Sequence, residues 1–240
     1  MSRTILLVHG AFSHAGHLAG WARVFAGAGY GCLVPNLAGH NSRDIGSLQY
    51  CTFETYLRQL RERAIGMPEP PILIGHSMGG LLVQQLAATI PCAALVCVAS
   101  APPWMLTAQL RALPYLLPLV PAILAGRPFR PSARALRHLA LHDLPAAEQD
   151  RLEPGFVAES GAAYRSMILG TARLPGPRHA GATLCVSGGA DRIISNRTSR
   201  RLAAHYRAEH FIFPDQGHWL IAHDVIAGRI VEWLAGLAPA

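Results

Sequence analysis

The sequence predicts an α/β protein whose mainly parallel sheet, of about six strands, is covered by helices on both faces. Short, nearly continuous apolar runs alternate with longer segments of helical periodicity, and this alternation is typical of parallel sheets with buried strands. A glycine-flanked turn at Gly75–Gly79 joins one apolar run to a helical segment. The 240 residues, 51% of them hydrophobic, suffice for one large domain with an insertion.

The predicted strands are nearly uninterrupted apolar runs, namely Thr4–Val8, Cys32–Pro35, Ile72–Ile74, Ala94–Ala99, Thr183–Ser187 and His210–Phe213. The predicted helices share a period near 3.6 residues and are His17–Ala28, Thr52–Ile65, Met78–Thr89, Asn196–Arg207 and Leu220–Leu237. Each helix follows a predicted strand or precedes the next one. The order therefore indicates repeated crossovers between parallel strands.

Residues 102–177 interrupt the alternation of strands and helices, because they show no strand pattern and are rich in leucine, alanine, proline and arginine. They predict several short helices inserted into a core made of residues 1–101 and 178–240. Ligands of open α/β sheets bind beyond the carboxyl ends of the strands, so an insertion after the fourth strand predicts a cap over the site. A separate helical domain with no part in the site is the alternative.

Within this cap, several leucines are spaced to share a helix face, and we expect that face to contact substrate: Leu106, Leu110, Leu113, Leu116 and Leu117. Pro114, Pro118 and Pro121 should divide the helix into short pieces. The same prolines, together with Arg111, argue against a membrane-spanning helix over Leu106–Gly126.

Charge and cysteine content narrow the function classes. The formal charge is +7, and all 21 basic residues are arginines scattered along the chain, whereas nucleic-acid binding usually concentrates charge on one face. Without lysine, Schiff-base chemistry on a lysine amine is excluded.

The five cysteines are widely spaced and form no C-x-x-C pair, which predicts buried thiols in a reducing compartment. The apolar run after Arg3 is too short for a signal peptide, and we expect a cytoplasmic location.

The turn Gly75-His76-Ser77-Met78-Gly79 predicts a nucleophile elbow. A serine held on a tight strand-to-helix turn needs small residues two positions before and after it, because strand and helix would otherwise collide. Ser77 would then project above the sheet, beside the first N–H groups of the helix. Ser77 is the candidate nucleophile.

A serine hydroxyl needs an adjacent base, and the base needs a third group that fixes its tautomer. Among 12 histidines, His218 follows the last predicted strand and is the candidate base. His223 falls within the last helix, and His76 should point away from Ser77. His9 belongs to the loop after the first strand. His138 and His142, four residues apart, should share a helix face as metal ligands can, but no third ligand is evident, so we expect a packed or solvated pair.

The acid should lie at another strand end. Asp191 follows the fifth predicted strand and is the candidate. Asp215 is the competitor, although it precedes His218 by only three residues on the same loop. Asp143 and Asp150 fall in the predicted cap. The order Ser77, Asp191, His218 is the nucleophile–acid–base order associated with this elbow.

An oxyanion would need two backbone donors, for which we predict the N–H groups of Met78 and Ala11. Phe12, Trp104 and Trp219 are candidate walls of the substrate pocket, although ordinary core packing is the alternative for each aromatic residue. The residues imply no metal and no cofactor.

With these motifs in order, the whole chain resembles the α/β-hydrolase superfamily. The resemblance rests on Leu7-Val8-His9-Gly10-Ala11, Pro35-Asn36-Leu37-Ala38-Gly39-His40, Gly75-His76-Ser77-Met78-Gly79-Gly80, Gly189-Ala190-Asp191-Arg192 and Gly217-His218-Trp219. It is similar to small bacterial esterases and to plant methylesterase or hydroxynitrile-lyase relatives. Asn36 and Asn41 depart from the Asp-x-x-Gly-His-Gly loop of many relatives, which leaves the subfamily open.

The resemblance implies a metal-independent serine esterase fold and an acyl-enzyme route on a carboxylic ester with an apolar moiety. Three alternatives remain open. They are a thioesterase acting on coenzyme A or on an acidic acyl carrier protein, a lyase or C–C bond enzyme with the same triad, and a non-catalytic receptor. The expected partner is a small-molecule ester or thioester.

Overall fold

The computed structural model describes residues 3–41, 45–172, 179 and 181–237. They contain a six-stranded sheet in the order β2-β1-β3-β4-β5-β6, and every neighbouring pair is parallel. The strands are β1 Thr4–Val8, β2 Gly31–Leu33, β3 Ile72–His76, β4 Ala94–Val98, β5 Thr183–Gly188 and β6 Glu209–Phe213. The predicted fold class is therefore confirmed, with strand ends displaced by one or two residues.

The α-helices are α1 Ala19–Gly27, α2 Phe53–Ile65, α3 Met78–Ala87, α4 Leu113–Leu116, α5 Val120–Leu124, α6 Ala133–Ala135, α7 Ala146–Leu152, α8 Gly161–Ile168, α9 Asn196–Tyr206 and α10 Asp224–Ala235. Two predicted helices begin differently. A 3₁₀ turn, Ala15–Leu18, precedes α1. The predicted helix from Leu220 is divided into a 3₁₀ turn, Leu220–Ala222, and α10. The division occurs because His223 is extended, with φ −110° and ψ 100°.

Alternate residues of the buried strands pack into two hydrophobic cores, one on each face of the sheet. Ile5 and Leu7 join the core that includes Trp21 of α1 and Ile230 of α10. Leu6 and Val8 join the other core, which contains residues of α2, α3 and α9. Successive side chains of a strand point to opposite faces, so apolar residues at consecutive positions are needed to fill both cores.

The strand order reverses between β1 and β3. The chain leaves β1 toward β2 on one side, then returns to place β3 on the other side. The loops after β1 and β3 therefore diverge above a shared crevice, which is where open α/β sheets bind ligands. Val8 is paired with Gly75 at this point, so the loop after Val8 begins beside the glycine-flanked turn.

The segment predicted to form a cap lies between β4 and β5, and it is called the cap below. Three of its prolines fall in the first turn of successive short helices, with Pro114 in α4, Pro118 in the 3₁₀ turn Leu117–Leu119 and Pro121 in α5. Proline is tolerated there because the first N–H groups of a helix have no partner within the helix. In the described part of the cap, the only β pairing is a bridge between Phe129 and Glu159. The predicted end of the cap at residue 177 lies outside the described residues.

Across all the residues that the structure describes, no helix has the length and apolar character needed to cross a membrane.

A buried carboxylate ties the cap to the core. Glu159 is fully buried and accepts hydrogen bonds from Tyr56 Oη at 2.7 Å and from the backbone N–H of Ser160 at 2.7 Å. His40 Nε2 lies 3.0 Å from the second carboxylate oxygen. Burial alone would lower the pKa of His40, but the charge and hydrogen bond of Glu159 outweigh it and raise that pKa above 6.5. His40 and Glu159 thus form a buried ion pair, and the other carboxylate oxygen of Glu159 accepts the hydrogen bonds from Tyr56 and Ser160.

Replacement of Glu159 by glutamine should change how stability depends on pH. Because the pKa of His40 is higher in the folded protein than in the unfolded chain, the pair stabilises the folded protein at pH values below the unfolded-state pKa. This stabilisation is lost as the pH rises through the folded-state pKa. The stability advantage of the wild type over Glu159→Gln should therefore be larger at pH 6 than at pH 9. Denaturant unfolding at several pH values measures it. The matched control is Glu148→Gln, because Glu148 forms an ion pair with Arg151 near the surface. An identical dependence of stability on pH in both variants would contradict the role of the pair between His40 and Glu159.

Candidate active site

The turn after β3, predicted to be a nucleophile elbow, holds Ser77 in a left-handed backbone conformation. Ser77 has φ 55° and ψ −117°, which is unfavourable for a residue with a side chain. Its N–H donates to Val98 O at 2.9 Å, and its carbonyl accepts from Gly80 and Ala101, both at 3.0 Å. These three backbone hydrogen bonds hold the strained residue between β3, β4 and α3.

The glycines around Ser77 are required by close packing of the backbone. A methyl group at Gly75 would overlap the carbonyl of Gly79, and one at Gly79 would overlap the carbonyl oxygens of Val8 and His9. One at Gly80 would overlap the side chain of Ser100. The helix therefore approaches both β3 and β1 more closely than any larger residue allows, which aims the first turn of α3 at the crevice.

His218 lies beside Ser77 on the loop after β6. Its Nε2 is 3.0 Å from Ser77 Oγ, and its Nδ1 is 2.9 Å from Asp191 Oδ2. An ionised carboxylate can only accept, so Nδ1 carries the proton and Nε2 is free to accept from the serine hydroxyl. His218 is 3% exposed. The arrangement can transfer a proton from Ser77 to His218 while Asp191 compensates the charge.

Asp191 is oriented by its own loop. Its Oδ1 accepts the backbone N–H groups of Ile193 at 2.7 Å and Ile194 at 2.9 Å, which leaves Oδ2 for His218. Asp215 instead lies exposed on the turn that precedes His218. The structure therefore brings Ser77, Asp191 and His218 together and leaves Asp215 outside the group.

The loop after β1 lies directly against Ser77. The Cα of Gly10 is so close that a methyl group there would lie 2.8 Å from Ser77 Cβ. His9 Nε2 accepts the N–H of Leu37 at 3.1 Å, and Phe12 O accepts the N–H of Val157 from the cap at 2.9 Å. These contacts fix the loop on both sides of Ala11. Met78 is the first residue of α3, where an N–H has no partner within the helix.

Asn36 supports the same loop. Its Oδ1 accepts the N–H of Ala15 at 2.7 Å, and its Nδ2 donates to Asn41 Oδ1 at 2.7 Å. An aspartate at position 36 could accept from Ala15 but could not donate to Asn41. The two asparagines that depart from the family pattern are therefore paired with each other.

The other candidate histidines make contacts of their own. His76 Nε2 donates to the backbone carbonyl of His218 at 2.9 Å, and burial together with His218 lowers the pKa of His76 to about 3. His138 packs on Tyr115, whereas His142 Nε2 donates to Ala190 O at 3.0 Å. His142 lies beyond the π-helical turn Leu136–Ala140, so the two do not share a helix face. Among the described residues, no three His, Cys, Asp or Glu side chains are grouped as metal ligands.

An apolar cavity of about 270 Å³ lies between the cap and the loops that carry Phe12 and Ile193, and Ser77, Asp191 and His218 do not line it. Phe12 and Ile193 contribute to its wall, and they follow Ala11 and Asp191 closely in sequence. Four of the five predicted leucines line it, whereas Leu110 does not appear in its wall and is 85% exposed. The full lining is Phe12, Leu106, Ala108, Gln109, Ala112, Leu113, Tyr115, Leu116, Leu117, Leu119, Val120, Ile123, Pro131, Ala135, Leu139, Tyr164, Ile168 and Ile193.

Two predicted pocket walls pack elsewhere. The guanidinium carbon of Arg201 lies 4.3 Å from the ring centroid of Trp104, and His205 packs against the same ring. Trp219 is 3% exposed and packs on Phe156 and His76. The cavity wall near Phe12 is instead completed by Tyr164 of α8. Trp219 thus supports the loop of His218 from the core side.

Sequence reasoning missed the cap residues that bond to the site loops. Gln109 Nε2 donates to Asp191 O at 3.0 Å, and Asp143 Oδ2 accepts the N–H of Gly217 at 2.7 Å. No pattern in the sequence identifies these contacts, because they depend on how the cap is docked.

Comparison with known proteins gives a family match over most of the chain. A sequence model of the alpha/beta hydrolase family matches residues 5–226. A pyrethroid hydrolase of Sphingobium wenxiniae is 31% identical over 83 residues, which make up 35% of this chain and only 30% of that protein.

Solved structures share the whole fold. A methylesterase from Arabidopsis superposes with a TM-score of 0.76 at 16% identity, covering 98% of this chain and 100% of that one. A pyrethroid hydrolase superposes with a TM-score of 0.75 at 18% identity, covering 98% of both chains. An extracellular α/β-hydrolase from a Paenibacillus species has a TM-score of 0.75 at 16% identity, over 96% of this chain and 98% of that one.

Proposed function

The chain belongs to the alpha/beta hydrolase family, and from this premise we propose that it is a serine hydrolase cleaving a carboxylic ester with an apolar moiety through an acyl-enzyme. The observation that carries the proposal is the continuous hydrogen-bond chain from Ser77 Oγ through His218 to Asp191, with links of 3.0 and 2.9 Å. Esterases among the similar proteins support ester hydrolysis as the reaction class.

In this mechanism His218 Nε2 accepts the proton as Ser77 Oγ attacks the ester carbonyl. Asp191 keeps Nδ1 protonated and stabilises the imidazolium. The N–H groups of Met78 and Ala11 stabilise the oxyanion in this proposal. It is supported by the position of Met78 at the start of α3 and by the close approach of Gly10, which precedes Ala11, to Ser77. His218 returns its proton to the leaving alcohol, and water activated by the same imidazole then releases the acyl group.

The cap cavity supports an apolar substrate. Its described lining is almost wholly hydrocarbon, with Gln109, Tyr115 and Tyr164 as the polar exceptions. Leu113, Leu117 and Val120 line it and are also 38%, 64% and 38% exposed, so the cavity reaches the surface of the cap at an apolar rim. An apolar acyl or alcohol group would lose contact with water on entering it, which favours binding.

A substrate panel with active-site labelling tests the proposal. Purified protein is assayed with aryl esters, acyl thioesters and cyanohydrins, and is treated with an organophosphonate whose adduct is located by mass spectrometry. We expect ester turnover and labelling at Ser77. Faster turnover of thioesters or cyanohydrins would favour the alternative chemistries, and absence of both turnover and labelling would indicate a receptor.

The cavity predicts a dependence on acyl length. Each buried methylene contributes up to about 0.8 kcal/mol, or about fourfold in kcat/KM, until the cavity is full. We expect kcat/KM for esters of two to twelve acyl carbons to rise and then level off. Leu116→Ala, which removes a lining side chain, should move the plateau to longer esters.

The matched control is Leu110→Ala, because Leu110 is exposed and outside the cavity wall. It should leave the length profile unchanged. If Leu116→Ala lowers thermal stability with the same profile as wild type, these leucines only seal the cap onto the core.

The cysteines support a reducing, cytoplasmic location as part of the proposal. Among the described residues, the five cysteines form no disulfide bond, and Cys51, Cys97 and Cys185 are buried.

A further inference from the structure

Two adjacent cap residues hydrogen-bond to the residues that precede the candidate acid and base. His142 Nε2 donates to the carbonyl of Ala190, next to Asp191, and Asp143 Oδ2 accepts the N–H of Gly217, next to His218. We propose that Asp143, assisted by His142, is a positioning residue that holds the loops of Asp191 and His218 in register for proton transfer. This inference rests on the proposed serine-hydrolase function.

The loop that carries His218 lies at the edge of the sheet, where fewer neighbouring elements hold its backbone. It follows β6, which in the described part of the chain is an edge strand paired with β5. The loop is bonded on the β5 side, where Ala190 N–H donates to Gln216 O at 2.9 Å. No strand among the described residues lies on the other side of β6, and the cap supplies a contact to the backbone immediately before His218.

Asp143 is built to make a strong bond there. Its side chain is 6% exposed, and a methyl group at Gly217 would overlap Asp143 Oδ1, so the carboxylate is pressed against that backbone. Burial raises the pKa of Asp143, but the imidazole of His223, whose Nε2 lies 3.9 Å from Oδ2, and the hydrogen bond from the N–H of Gly217 outweigh burial and lower the pKa below its ordinary value. The group is therefore an ionised acceptor, and such bonds are stronger than neutral ones.

Two further cap contacts also hold the loop that carries Asp191. Gln109 Nε2 donates to the carbonyl of Asp191 itself, and Arg192 Nη1 donates to His138 O at 2.9 Å. The cap thus contacts the acid loop at three consecutive residues and the base loop at Gly217. A small displacement of either loop changes the Ser77–His218 distance, and a misplacement of about 1 Å can cost about 100-fold in rate.

Three variants test the role of Asp143. Asp143→Ala removes the acceptor for Gly217, whereas Asp143→Asn keeps a side-chain oxygen that can accept the same N–H. Asp150→Ala is the matched control, since Asp150 is a cap carboxylate in an exposed pair with Arg137. Hydrolysis per active site is measured after phosphonate titration, so that misfolded protein does not count, and amide exchange at Gly217 is followed in each protein.

We expect Asp143→Ala to lower kcat about 10- to 100-fold with little change in KM, with faster exchange at Gly217. Asp143→Asn should restore most of kcat, and Asp150→Ala should resemble wild type. Equal kcat per site in Asp143→Ala and wild type would overturn the proposal, as would an unprotected Gly217 amide in wild type.

If Asp143→Ala does not fold, His142→Ala provides the comparison, because it removes only the bond to Ala190. The same loss of kcat per site is then expected, and unchanged kcat would contradict the positioning role. An inactive wild type with a protected Gly217 amide would refute the proposed function while leaving the contact itself intact.

Discussion

Replacement of Ser77 by alanine should reduce ester hydrolysis by a factor on the order of 10⁴ or more, to near background. The hydroxyl is the only group within hydrogen-bond distance of His218 Nε2 among the described contacts, so no other nucleophile would take its place. Initial rates with the best ester of the panel measure the loss. Phosphonate labelling should disappear at the same time.

Stability provides the control for this experiment. The backbone hydrogen bonds of residue 77 to Val98, Gly80 and Ala101 do not involve the side chain, so Ser77→Ala should fold and melt close to wild type. A variant that is folded and still hydrolyses the ester at a substantial fraction of the wild-type rate would exclude Ser77 as nucleophile.

Replacement of Asp191 by asparagine should cost nearly as much, about 10⁴-fold in kcat. Asparagine can still accept the N–H groups of Ile193 and Ile194, which hold Asp191 Oδ1 now. Its NH₂ group would then face His218 Nδ1 and favour the tautomer with the proton on Nε2. That tautomer cannot accept the proton of Ser77.

Asp215→Asn is the matched control, since the same chemical change is made three residues before His218 on an exposed turn. It should keep wild-type kcat and KM. Substantial activity in Asp191→Asn together with its loss in Asp215→Asn would show that the acid has been assigned to the wrong carboxylate.

The sheet and its central turn could be predicted because local chemistry determines them. Gly75, Gly79 and Gly80 are spaced as a close helix–strand approach requires, and the strands are continuous apolar runs because both faces are buried. Chain order alone then placed Asp191 and His218 at neighbouring strand ends. Helix ends were less predictable, as His223 shows, since its extended backbone divides a segment of helical periodicity.

The cap contacts could not be predicted in the same way. Glu159 is 119 residues from His40 in the chain, and Asp143 is 74 residues from Gly217. Each contact depends on the docking of short, proline-divided helices, whose local sequence specifies their ends but not their placement. Trp104 and Trp219 illustrate the same difficulty, because an aromatic residue near a strand end can pack on an arginine or in the core as readily as in a pocket.

The anchoring of Glu159 bears on any attempt to exchange caps between related enzymes. A core deprived of this carboxylate keeps a buried imidazole at His40 and a buried phenol at Tyr56 whose hydrogen bonds were made to the cap. An unpaired buried polar group costs about 1–3 kcal/mol, so a grafted cap that lacks an acid at this position would weaken the host core. Chimeras designed for new substrates should therefore transfer residues 129 and 156–160 together with the core positions they contact.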